Sequence, residues 1–150
     1  MGVDDAYMLL TSKSAKHDLI GGVALFAGLN QKEVARIAAL VEELQVDTGE
    51  VLCHEGSPGR EFFVIAAGRA EATLRGQHLA YLGPGAFFGE MSLLDRGPRS
   101  ATVTAVTPLH LLVLDARSFV GLLADHPAVA RKVMRGLAER LRESESAPTH

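Results

Sequence analysis

The residues that could do chemistry crowd into one stretch, Phe87-Phe88-Gly89-Glu90-Met91-Ser92-Leu93-Leu94-Asp95-Arg96-Gly97-Pro98-Arg99-Ser100-Ala101-Thr102-Val103. A glycine, a short helix start and a carboxylate stand ahead of an arginine nine residues on, and the chain then runs into a β-type segment. That order suits one small anion and one pair of sugar hydroxyls. The N–H groups of Met91 and Ser92 are free donors of a first helical turn, and their partial positive charge favours a phosphate. Gly89 lets the backbone approach a ligand closely. Arg99 can meet two phosphate oxygens with its planar fork, which a lysine cannot do. Glu90 only accepts, so it suits a ribose hydroxyl rather than a phosphate.

These groups need elements to hold them. From Val46 to Asp115 the chain is a series of short apolar segments broken by turn signals such as Gly56-Ser57-Pro58-Gly59 and Gly83-Pro84-Gly85. Strands are expected over Glu61–Ala66, Ala70–Leu74, His78–Leu82, Ser100–Ala105 and Leu109–Asp115. Many short strands at regular spacing predict a jelly roll or small barrel. Upstream, Met1 to about Lys16 reads as a loose lead-in or a short helix and Leu19 to Phe26 as a helical turn. Asn30 caps a helix expected from Gln31 to about Leu44. Downstream, Ala116–Ala124 is one helix, His126-Pro127 breaks it, and Pro127 opens a second. In that last helix Val129, Val133, Leu137 and Leu141 fall at steps of four, and Met134 and Leu137 read as core. Its basic residues, Arg131, Lys132, Arg135, Arg140 and Arg142, read as a solvated face.

The stretch resembles the phosphate-binding cassette of the cyclic nucleotide-binding domain family. Phe88-Gly89-Glu90, the small Ser92, Leu93-Leu94, a short loop and Pro98-Arg99-Ser100-Ala101-Thr102-Val103 carry the likeness. The wording from Leu82 to Met91 is similar to the domain that ends bacterial cyclic-nucleotide-regulated potassium channels. The resemblance runs from about Leu19 to about Arg142. It implies an α+β, mainly β fold: an eight-stranded jelly-roll β-barrel flanked by an N-terminal helix and two C-terminal helices. The organisation would be a lead-in over 1–18, the nucleotide-binding domain over 19–143 and a flexible tail over 144–150. The implied ligand is 3′,5′-cyclic AMP, with cyclic GMP second. Its phosphate would sit on the Met91 and Ser92 amides and Arg99, and its ribose on Glu90 and Gly89. Phe88 and Ala101 complete the cassette, and Ser100 would touch phosphate or base. The last helix would cover the purine, with Arg135 as a base contact. Binding would pull that helix over the pocket, which makes the chain a sensor for an effector protein or channel. A homodimer is left open. The alternative is a non-sensing interaction or scaffold domain that keeps the fold; the Glu90/Arg99 pair argues against it.

Other function classes fit poorly. The 150 residues suit one domain, and 47% apolar content is ordinary for a globular chain. The net charge of −3 gives no drive toward nucleic acid, and the end at His150 is expected to leave no room for the helix-turn-helix of the family's transcription regulators. No apolar run approaches the roughly 20 residues that span a bilayer. Asp4 and Asp5 stand where a signal peptide is basic, and Ala6 spoils a myristoylation pattern, so a cytoplasmic location is expected. The one cysteine, Cys53, reads as a buried apolar residue. The six histidines are scattered without ligand spacing, so neither a metal, a cofactor nor an enzyme activity is expected.

Overall fold

The computed structural model describes residues 13–146. Most of the expected lead-in and the end of the tail lie outside the described residues. Helix α1 (Lys13–Gly21), a 3₁₀ turn (Ala24–Phe26) and helix α2 (Gln31–Leu40) come first. Asn30 starts α2 as the sequence predicts. Its Oδ1 accepts from Glu33 N at 2.8 Å while Asn30 N donates to Glu33 Oε1 at 3.0 Å, so two orphan amides of the helix end are satisfied. The helix stops at Leu40, short of the expected Leu44. Val41 is extended (φ −82°, ψ 136°), and the next residues form strand β1 (Glu42–Val46), paired from Glu42↔Val113 to Val46↔Leu109. Glu-Glu-Leu-Gln has good helix propensity, but pairing with a distant strand outweighs it.

The remaining strands are β2 (Val51–Cys53), β3 (Glu61–Ala67), β4 (Ala70–Leu74), β5 (Gln77–Leu82), β6 (Phe87–Phe88), β7 (Thr102–Ala105) and β8 (Leu109–Asp115). They form two four-stranded antiparallel sheets, in the orders β1-β8-β3-β6 and β2-β7-β4-β5. This is the expected mainly-β jelly roll with flanking helices. Strands β3 and β8 are nearly unbroken apolar runs because both of their faces are covered. Phe63, Ile65, Leu109 and Leu111 join the core between the sheets with Cys53, Phe88 and Val103. Phe62, Val64, Leu112 and Leu114 point the other way and pack with Phe26, Ile37, Phe119, Leu122, Val129 and Val133 of the helices. Phe62 stacks on Phe119 at 4.4 Å between ring centroids.

Three further helices follow: α3 (Glu90–Asp95), α4 (Ala116–Asp125) and α5 (Pro127–Ser146). Asp115 caps α4, accepting from Ser118 N at 2.7 Å, and that hydrogen bond holds its carboxyl below the usual range. Helix α5 departs from its expected faces. Val129 and Val133 are buried and Leu137 is partly covered, but Met134 is 58% exposed and not core. Nor is the basic face simply solvated. Lys132 Nζ donates to Ala24 O at 3.0 Å and Ala27 O at 2.8 Å, tying α5 to the 3₁₀ turn. Among the described residues no helix is long and apolar enough to cross a membrane.

Candidate functional site

The site begins where β6 pairs with the central strand β3, through Phe63↔Phe88 and Val64↔Phe87. Phe88 is buried and stacks on Phe63 at 4.8 Å, which fixes the entry to the cassette. The chain then turns at Gly89, which is left-handed (φ 92°, ψ −3°). A Cβ there would lie 2.6 Å from Arg99 Nη1 and 2.7 Å from Glu61 O, so both conformation and space demand glycine. Helix α3 follows at once. No side chain caps it, so the first-turn amides, Met91 and Ser92 among them, have no side-chain acceptor. Asp95 Oδ1 accepts from Gly97 N at 2.7 Å and closes the loop behind α3.

Arg99 is held from both ends. Its N–H donates to Ser57 O at 2.8 Å and its carbonyl accepts from Gly56 N at 2.9 Å. Gly59 lies so close that a Cβ there would stand 2.2 Å from Arg99 Nε. Arg99 is 7% exposed. Nη1 donates to Gly89 O at 2.9 Å and Ser92 Oγ at 3.0 Å; Nη2 donates to Glu61 O at 2.9 Å. All three acceptors are neutral, so the charge lies buried with no carboxylate hydrogen-bonded to it. Burying a charge without its counter-charge is costly, and an arriving anion relieves that cost.

Glu90, the first residue of α3, is 2% exposed. Its partner is Arg140 of α5, whose Nη1 donates to Oε1 at 3.0 Å and Oε2 at 2.8 Å. Arg140 Nη2 also donates to Phe87 O, and its guanidinium carbon lies 4.9 Å from the centre of the Phe87 ring. Gly136 brings α5 close enough for this, since a Cβ there would come within 2.6 Å of Phe87 Cζ.

The structure thus brings Phe88, Gly89, Glu90, Ser92 and Arg99 together. Met91 and Ser100 are exposed and Ala101 half-buried, all at the cassette's rim. Arg135 is exposed and is not brought to the cassette. Five residues along a helix turn it about 140° away from Arg140. Arg140 is the residue that sequence reasoning missed. Its signal is the spacing Val133, Gly136, Leu137, Arg140, one face of α5 that continues from the core. A cleft of ≈ 740 Å³ lies beside the cassette, lined by Pro58, Ser92, Leu93, Ala116 and Val120 among others, but neither Glu90 nor Arg99 lines it. Among the described residues no group of three His, Cys, Asp or Glu could hold a metal.

A β-roll that buries an arginine without a counter-charge beside a glycine turn is suited to taking up an anion. The chain belongs to the cyclic nucleotide-binding domain family, whose model matches residues 43–126. It is 38% identical over 130 residues to a cyclic nucleotide-gated potassium channel of Mesorhizobium japonicum, covering 86% of this chain and 36% of the channel. It is 37% identical over 129 residues to a cyclic AMP receptor protein of Thermus thermophilus, covering 83% of this chain and 60% of that one. It therefore spans less than two thirds of the length of either relative. Among solved structures, Sp-2Cl-cAMPS bound to PKAR CBD2 superposes with a TM-score of 0.76 at 25% identity, over 91% of this chain and 94% of that one.

Proposed function

We propose that this chain is a cyclic AMP sensor, with the nucleotide-binding unit over residues 19–143. The buried Arg99 guanidinium, bonded only to neutral oxygens, carries the reading, because it is a charge in want of an anion. The cyclic phosphate would exchange for some of those oxygens and add the Met91 and Ser92 amides. Glu90 and Gly89 would hold the ribose, with Phe88, Ser100 and Ala101 around them. The purine would meet α5, whose position changes on binding and passes the signal to an effector protein or channel in the cytoplasm. The module itself performs no chemistry on the nucleotide. Its similarity to a cyclic AMP receptor protein and to a domain bound to a cyclic AMP analogue supports the choice of nucleotide. Calorimetric titration with cyclic AMP, cyclic GMP and cyclic di-GMP tests it. Saturable binding of one cyclic AMP per chain is expected, with cyclic GMP weaker and cyclic di-GMP silent. No binding of any of the three would end the proposal.

A further inference from the structure

The carboxylate assigned to the sugar already has an occupant. Arg140 Nη1 spans both oxygens of Glu90, and its Nη2 is committed to Phe87 O, so the guanidinium lies across the open side of the carboxylate. Glu90 is 2% exposed, so an incoming hydroxyl reaches it only if a neighbouring group moves aside. The two partners are not equally fixed. Glu90 is locked at the start of α3 between Gly89 and the core. The Arg140 side chain is 38% exposed, and its neighbours from 138 to 143 are all exposed. The arginine is the partner that can leave.

We propose that Arg140 is an affinity-setting latch: it occupies Glu90 and must give way before a ribose 2′-hydroxyl is held there. The proposal rests on the reading of Glu90 as the sugar ligand. Helix α5 and the ribose then compete for one carboxylate. Each nucleotide bound through its 2′-hydroxyl frees the end of α5, and each stabilisation of that end weakens nucleotide binding.

Arg140→Ala and Arg140→Lys test this, each checked by thermal melting for an intact fold. Lysine keeps the charge but cannot span both oxygens and Phe87 O at once. The titrants are cyclic AMP and its 2′-deoxy analogue, which leaves Glu90 unclaimed. A pair with one buried and one half-exposed partner lies between surface and buried ion pairs in strength. Arg140→Ala should therefore bind cyclic AMP about tenfold more tightly. The 2′-deoxy analogue should change little, and Arg140→Lys should fall between. Hydrogen exchange without nucleotide should also quicken at the amides of residues 137–143 in Arg140→Ala. Unchanged or weaker cyclic AMP binding by Arg140→Ala would overturn the latch, since the sugar and Arg140 would then share Glu90 rather than compete. Equal changes for both nucleotides would overturn it too. If the unaltered protein binds cyclic AMP in those cases, the sensor reading stands and only the latch falls. If the unaltered protein binds neither nucleotide, the sensor reading fails and takes the competition with it.

Discussion

Arg99→Ala separates what the arginine does for the fold from what it does for a ligand. The side chain is buried and makes three hydrogen bonds, to Gly89 O, Ser92 Oγ and Glu61 O. Hydrogen bonds to a charged group contribute roughly 1.5–3 kcal/mol each. Desolvating a guanidinium that has no neutralising carboxylate offsets much of that sum. Truncation should therefore lower folding stability by only about 1–3 kcal/mol, read as a shifted midpoint in urea. Binding should be affected differently, because a nucleotide phosphate at Arg99 would supply the missing counter-charge in a buried place. Removing one partner of such a pair costs about 3–5 kcal/mol, or roughly a hundred- to several-thousand-fold in affinity. Arg99→Lys keeps the charge but not the fork, and one ammonium cannot reach the three oxygens together. It should fall between the two. Titration calorimetry of the folded variants with cyclic AMP gives the answer. A dissociation constant within about threefold of the unaltered protein for Arg99→Ala, under 1 kcal/mol, would refute the assignment of the phosphate site.

Two other perturbations follow from the surroundings of Gly89 and Cys53. Gly89→Ala forces a left-handed backbone (φ 92°) on an alanine and drives its Cβ to 2.6 Å from Arg99 Nη1. It should cost about 2 kcal/mol or more in urea unfolding and abolish tight nucleotide binding; a variant with both properties intact would contradict the close approach. Burial pushes the Cys53 thiol from its ordinary 9.0 up to about 11, the charge of Arg99 opposing more weakly. A thiol raised in the folded state contributes stability that is complete below about 9 and lost as pH rises toward about 11. Native protein should resist alkylation at pH 8, and Cys53→Ala should flatten the stability loss between pH 9 and 11.

Local chemistry was readable from the sequence and distant pairing was not. The cassette could be read because its parts are contiguous. Gly89, Glu90 and Ser92 share one turn, and Arg99 returns to that turn after a short loop. Strands β4 and β8 and the Asn30 cap were legible for the same reason, since turn residues and caps act within a few positions. Strand β1 was not, because Glu42–Val46 becomes a strand only through β8, some seventy residues away in the chain. The two-residue β6 has no period to detect and exists only by pairing with β3. Arg140 was lost among five basic residues of α5. Only the side on which Gly136 meets Phe87 distinguishes it from Arg135, and contact between α5 and the cassette sets that side.

The placement of contacts along α5 also decides which part of it can move. The break at His126-Pro127 suggests a hinge there, with the whole helix swinging as a lid. The packing opposes this. His126, Val129 and Val133 are buried, and Lys132 is bonded to two carbonyls of the 3₁₀ turn. Stripping Val129 and Val133 alone would cost about 3–6 kcal/mol at roughly 1.5–3 kcal/mol per buried side chain. Beyond Gly136 the holding contacts thin out to the partly covered Leu137 and to Arg140, and Leu141 is 61% exposed. Glycine also tolerates the dihedral change that a hinge requires. An ion pair worth the expected tenfold would not drive a full switch, since turning a 1:99 population into 99:1 takes about 10⁴-fold differential affinity. The rest must come from apolar cover, and Met134 and Leu141 are the exposed side chains that a purine or an effector could bury. Cyclic AMP should therefore alter hydrogen exchange in α5 mainly from residue 137 onward, and leave the amides of 129–133 as protected as before. A uniform change from Pro127 to the end of the helix would place the hinge at His126-Pro127 and refute the division at Gly136.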